Sequence, residues 1–314
     1  MPEIDVFDGH CDTVLMCYLK GGGFGRNGYH VDLERAGKYR RYAQFFALFG
    51  QPEDFPGMSF GEIFRTEYGI FAREMEQNAA VITHCRTAQE AEDAFAAGKM
   101  AAFLSVEGAE VLDCSPERLE EAHGLGVRAV NPVWNRANAL GGTNAEETDK
   151  GLTAQGKVFV RKAEQLGVLV DVSHLSDPGF WDVADTLSGP FFASHSNSRS
   201  VFSHPRNLTD AQFTAIIDHN GVAGLNLFTE FVGGKADLDA AAAHLDHWLE
   251  LGGEKNIALG GDLDGCSPLA GNMAGVQDYE RLYHFLQAQG YSEALLQDLF
   301  FNNLMRVVSK VCTM

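Results

Sequence analysis

The sequence predicts an α/β chain folded as a (β/α)8 TIM barrel, and three observations carry that reading. Eight short apolar runs, rich in β-branched or aromatic residues, are mostly followed by Gly, Asn, Asp, Ser or His. Unbroken apolar runs of this kind are how parallel strands buried on both faces read. After every run but the first comes a stretch of helical period, and repeated strand–helix alternation argues for a barrel over an open sheet. The length of 314 residues also suits a barrel, which needs about 250 residues plus elaborated loops. Two domains of about 150 residues would fit that length as well. No repeat, low-complexity tract or Pro/Ser-rich linker divides the chain, however, so residues 1–314 are expected to form a single domain.

In chain order the expected strands begin with 4–9, built on Ile4, Val6 and Phe7, and 42–49, where Tyr42, Phe45, Phe46 and Phe49 supply aromatic bulk. The remaining runs are 100–106, 127–133, 168–172, 190–194, 222–227 and 256–260. Helical patterns over 64–84 and 87–95 follow the second strand, 116–125 follows the third, and 153–166 follows the fourth. Gly167 is placed to end that last helix in a left-handed turn. Helices over 178–187, 210–219, 237–251, 276–289 and 292–311 complete the set, the final one capped by Ser292 with Leu295 and Leu299 on one face. The glycine-rich stretch 21–25 lacks the helix start and lysine of a phosphate loop, and is expected to be a flexible loop near the barrel mouth.

Composition narrows the function. Hydrophobic residues make up 45% and charged residues 21%, enough for a sizeable core. Lys and Arg total 24 against 43 Asp and Glu, a net charge of −19, which argues against nucleic acid and anionic membrane surfaces as partners. Apolar runs fall far short of the roughly 20 residues that span a bilayer. Residues 1–5 show neither a basic n-region nor an apolar h-region, so a cytoplasmic protein without a membrane segment is expected. The six cysteines (Cys11, Cys17, Cys85, Cys114, Cys266 and Cys312) have no CxxC spacing, and are expected to be reduced and mostly buried.

Chemistry collects where a barrel places it, at the carboxyl ends of the strands. The first run leads into His10 and Asp12, two residues apart and so on one face of a strand. Glu107 follows the third run, His174 the fifth, His195 the sixth, and Asp262 and Asp264 the eighth. Taken singly, each histidine is better explained as a hydrogen-bonded structural residue and each carboxylate as a solvated or turn-forming group. Jointly, two carboxylates and three histidines converging on one mouth suit a pair of divalent metals about 3.5–4 Å apart, with Glu107 able to bridge.

These blocks resemble the membrane dipeptidases (renal dipeptidase, peptidase family M19) of the amidohydrolase superfamily. The likeness runs from Asp8-Gly9-His10-Cys11-Asp12 through Val106-Glu107-Gly108, Asp171-Val172-Ser173-His174 and Ser194-His195-Ser196. It continues through Arg206-Asn207-Leu208 and Gly260-Gly261-Asp262-Leu263-Asp264-Gly265 to the closing helix with Asn303-Leu304-Met305-Arg306-Val307. The resemblance implies a metal-dependent hydrolase barrel with two Zn2+ ions. His10, Asp12 and Glu107 would hold one, and His174, His195 and bridging Glu107 the other. It puts the substrate-carboxylate arginine at Arg206 and the acid–base aspartate at Asp262 rather than Asp264. It also implies a homodimer as the commoner state of such proteins.

One position departs from the family pattern. After the fourth strand the mammalian enzymes carry a histidine for the substrate and oxyanion, and here Trp134 stands in its place. Indole offers one N–H donor and no charge, and Arg136 and Asn138 are candidates for the missing donor. The other histidines (His30, His84, His123, His204, His219, His244, His247 and His284) read as structural. The function implied is a zinc-dependent dipeptidase using a metal-bridging hydroxide on a dipeptide. An amidase acting on N-acyl amino acids or other small amides is the alternative. A catalytically inactive barrel serving as an interaction protein is the remote one, disfavoured because no ligand is missing.

Overall fold

The computed structural model describes residues 4–313, so residues 1–3 of the stretch read for a leader lie outside it. Nine parallel strands are present among the described residues: β1 (Asp5–Cys11), β2 (Arg41–Leu48), β3 (Ile82–His84), β4 (Met100–Glu107), β5 (Val127–Asn131), β6 (Leu169–Val170), β7 (Phe192–Ala193), β8 (Val222–Leu225) and β9 (Ile257–Leu259). Eight of them run in the order β6-β5-β4-β2-β1-β9-β8-β7, and these coincide with the eight expected runs. The ends of that order meet in one bridge, Asp171 to Phe192, where the Val172 N–H donates to the Phe192 carbonyl at 2.8 Å. The expected (β/α)8 barrel forms. Its seam between β6 and β7 is thin, whereas β2 and β4 pair over six residues.

Inside the barrel, residues at i and i+2 share a face. Phe7, Phe45 and Phe103 point inward and stack with centroids 5.3–5.6 Å apart, and Phe301 of the last helical segment lies 6.1 Å from Phe7. This aromatic layer fills the amino end, leaving the carboxyl end to polar groups. Glu107 continues the series Ala101, Phe103 and Ser105 on β4, and so projects into that end. The axis is crowded: a Cβ on Gly260 would lie 1.8 Å from the Ser194 carbonyl oxygen, and one on Gly224 2.1 Å from it. Only glycine lets the neighbouring β8 and β9 chains lie that close to the backbone preceding His195.

Buried carboxylates stitch strands together. Asp8 accepts from the Gly261 N–H at 2.8 Å, from Gln44 Nε2 at 2.8 Å and from the Tyr279 hydroxyl, joining β1 to β2 and β9. Asp171 accepts from the backbone N–H groups of Ser173 and Ser194, each at 2.9 Å, and so clasps both sides of the seam.

Beyond added short turns such as Leu33–Ala36 and Thr229–Val232, helices differ from expectation in three places. The pattern read over 64–84 is a helix at Phe60–Gln77 followed by β3, which pairs with the start of β4. A helix at Thr13–Lys20 follows β1 directly. The last segment is interrupted by a π-type turn at Asp298–Asn302 before Asn303–Val311. The glycine-rich 21–25 stretch is pinned rather than free. Phe24 is buried, its ring stacks on Phe46 at 4.7 Å, and its N–H donates to Glu74 Oε2 at 2.9 Å. All six cysteines are free, with Cys266 alone incompletely buried. Among the described residues no helix is long and apolar enough to cross a membrane.

Candidate metal centre

His10, Asp12, Glu107, His174, His195 and Asp262, the residues singled out at the strand ends, are all buried and lie together at the carboxyl mouth. His10 belongs to β1 and Asp12 follows it; Glu107 ends β4; His174, His195 and Asp262 lie just past β6, β7 and β9. His174 and Asp262 adopt left-handed backbone, with φ of 74° and 55°. Such strain in non-glycine residues clusters at functional sites, where surrounding structure enforces it. Here it turns both side chains into the mouth.

The two oxygens of Glu107 are divided between two donor sets. Oε2 stands 3.5 Å from His10 Nε2, and that nitrogen is 3.5 Å from Asp12 Oδ1. Oε1 stands 3.0 Å from His174 Nε2 and 3.4 Å from His195 Nε2. His10, Asp12 and Asp262 form a second cluster whose ligand atoms lie within 4.8 Å of one another.

This donor set fits a divalent metal on several counts. His10 Nε2 and Asp12 Oδ1 are buried and have no hydrogen-bond partner in the protein, a cost that coordination would relieve. Outer partners orient the rings: His174 Nδ1 is 2.9 Å from Asn135 Oδ1, an acceptor, so the proton sits on Nδ1 and Nε2 presents its lone pair inward. His195 Nδ1 is 2.6 Å from Ser194 Oγ, which likewise leaves Nε2 to face the cluster. Burial drives the His174 and His195 rings well below the usual histidine range, keeping them neutral as ligands must be. The carboxylates show the complementary strain. Burial pushes Glu107 up to about 7 and Asp262 up to about 6, with His10 opposing and Asp12 reinforcing both shifts. Three carboxyl groups crowded out of water call for a cation.

Above this cluster opens a cavity of about 570 Å3. Arg206 is buried at its side, with Nη2 2.9 Å from His174 Nε2. Trp134 forms part of the wall, its ring 5.0 Å from Phe49 and 6.4 Å from His174. The two aspartates after β9 part company. Asp262 lines the cavity and accepts from Asn226 Nδ2 at 3.1 Å, while Asp264 faces away, bound by Thr13 Oγ1 at 2.7 Å and the His30 N–H at 2.6 Å.

The family model for membrane dipeptidase (peptidase family M19) matches residues 1–314. The chain belongs to peptidase family M19. A relative from Klebsiella pneumoniae, an uncharacterised protein in the pqqA 5' region, is 32% identical over 262 residues, covering 80% of this chain and 96% of that protein. An uncharacterised dipeptidase of Schizosaccharomyces pombe is 29% identical over 219 residues, covering 68% of this chain and 54% of that protein. A metallo peptidase from Rhodobacter sphaeroides, solved with a phosphinate mimic of the dipeptide L-Ala-D-Ala, superposes with a TM-score of 0.88 at 28% identity. That match covers 98% of this chain and 99% of the other. Membership of this metallopeptidase family implies a metal.

Two expectations about donors are corrected in this M19 chain. Arg136 points away from the metal cavity to pair with Glu53 at 2.9 Å, and Asn138 is spent on Glu110 at 2.8 Å and the Pro132 carbonyl at 2.9 Å. Neither lines the cavity, because the turn after Trp134 carries them to its far side, around a second hollow of about 170 Å3. Sequence reasoning also set His204 down as structural and passed over Asn135 and Asn226. They sit on loops, where no period marks the inward direction, and only spacing from His195 or the strand ends could have flagged them.

Proposed function

We propose that this chain is a zinc-dependent dipeptidase of the membrane-dipeptidase type, hydrolysing the peptide bond of free dipeptides, with residues 1–314 acting as one catalytic domain. The observation that carries the reading is the division of Glu107, one oxygen toward His10 and the other toward His174 and His195. His10, Asp12 and Glu107 would hold one Zn2+, and His174, His195 and Glu107 the other. Such ions, when bound, lower the pKa of water from 15.7 toward about 7 and make hydroxide available at neutral pH. Asp262 takes the proton of the attacking water and returns it to the departing amine, a role suited to a carboxyl pushed up to about 6. Arg206 presents a planar fork to the free C-terminal carboxylate. Trp134 and Phe49 form an apolar wall that limits side-chain size. The phosphinate dipeptide mimic bound by the Rhodobacter sphaeroides relative supports a dipeptide as substrate. Six free cysteines favour a reducing compartment, and we place the protein in the cytoplasm; a homodimer is carried over from the family resemblance.

That same aromatic wall favours a second reading, in which the amide carries an N-acyl group. A hydrolysis screen of L-L, L-D and N-acylated substrates with zinc-loaded protein separates the two, since a dipeptidase cleaves the first classes and spares the last. Replacing Arg206 by Ala is expected to cost about 2–5 kcal/mol of apparent substrate affinity on free dipeptides. The same change should matter little on C-terminally amidated analogues. Equal losses on both would assign Arg206 a structural role.

A further inference from the structure

We propose that His204 is a second donor to the substrate's C-terminal carboxylate, acting beside Arg206; this rests on the dipeptidase reading above. His204 lies on the loop after β7, two residues before Arg206, and its half-buried ring lines the cavity over the metal cluster. One aromatic plate seats both groups: the His204 ring packs on Phe231 at 4.6 Å, and the Arg206 guanidinium lies over the same ring at 5.3 Å.

The loop also determines which nitrogen carries the proton. The Arg206 backbone N–H donates to His204 Nδ1 at 3.2 Å, so Nδ1 holds a lone pair. A neutral imidazole then carries its hydrogen on Nε2. Burial, and next the Arg206 charge, push this histidine below its usual range and favour the neutral form. No protein group among the described residues is bonded to Nε2, so the ring ends in an N–H without a protein acceptor, on the wall of the cavity that Arg206 shares.

A carboxylate has about four lone-pair sites, enough to take a bidentate guanidinium and still accept another hydrogen bond. A neutral donor supplies that bond without a second buried positive charge next to Arg206. It would fix the carboxylate in the plane of the fork, where a lone arginine leaves one edge unguided.

Two substitutions separate this role from loop support. His204→Asn keeps an acceptor for the Arg206 N–H, in an Asx turn two residues long, but places nothing at Nε2. His204→Gln reaches the Nε2 position and gives up the Nδ1 acceptor. The full-length, zinc-loaded proteins, matched for metal content, are compared in KM and kcat on a free dipeptide. Inhibition is measured with a phosphinate dipeptide analogue as free acid and as C-terminal carboxamide. His204→Asn is expected to raise KM and weaken the acid inhibitor about 10-fold or more, with kcat within about twofold and carboxamide binding almost unchanged. His204→Gln should recover most of the loss. If Asn behaves like wild type while Gln is impaired, or if acid and carboxamide weaken equally in the Asn variant, His204 only supports the loop and the proposal is overturned. Wild-type protein that binds acid and carboxamide alike would instead overturn the carboxylate-clamp reading itself, and this inference with it.

Discussion

Glu107→Ala should abolish hydrolysis and strip the protein of metal at both positions. Among the described residues, no other offers one oxygen to His10 and the second to His174 and His195, at 3.5, 3.0 and 3.4 Å. Removing it takes a ligand from each set and leaves the buried histidines and Asp12 without the group that joins them. The loss should exceed the roughly 10–100-fold that changes to outer-shell partners of a metal usually cost. Metal analysis after zinc reconstitution gives the direct measure, with two ions per chain expected for wild type and close to none for the variant. A wild-type chain that never loads more than one ion would end the two-metal reading, whatever the variant does.

Asp262→Asn is expected to behave differently: metal retained, turnover lost. Asparagine preserves the size of the side chain and an oxygen for the Asn226 amide, now 3.1 Å from Asp262 Oδ2, but it cannot take up a proton. General acid–base transfer typically contributes 10²–10⁴-fold, and kcat should fall by about that factor at unchanged zinc content. Asp264→Asn is the matched control. Its carboxylate is engaged by Thr13 and the His30 N–H, so that substitution should loosen the loop while sparing most of kcat. The reverse pattern, with Asp264→Asn inactive and Asp262→Asn active, would assign the proton-transfer role to Asp264.

The candidate site was unusually legible because a barrel converts position along the chain into position in space. Once eight runs are recognised, His10, Glu107, His174 and His195 fall at one mouth, with no knowledge of any contact. What resisted reading depends on local turns. Choosing Asp262 over Asp264 needed the family pattern, since both follow the same strand. Arg136 and Asn138 looked available as donors, yet a turn after Trp134 carries them out of the cavity. His204 read as structural because its meaning lies in a hydrogen bond to its own loop. In the fold itself β3 escaped notice: Ile82–His84 is three residues long, and Ile82, following Ala79, Ala80 and Val81, extends the helical pattern of the preceding helix without interruption.

The thin seam has a consequence for the life of the protein before metal binds. β6 and β7, two residues each, meet through one bridge, and His174 and His195 leave from its two sides with their Nε2 atoms 3.1 Å apart. An ion held by both imidazoles would rivet the barrel shut. Any ligand that binds only the closed form stabilises it by mass action, about 4 kcal/mol at a thousandfold excess over Kd. On the proposed metal-bound reading, a newly made chain short of its ions would be weakest along this flank, and quality-control proteases would find it there first. Limited proteolysis with and without a chelator should show early cuts gathering in the loops beside β6 and β7, while the β2–β4 side survives. Cuts spread evenly around the ring would mean that the barrel closes without help, and that metal supply governs this protein's activity but not its persistence.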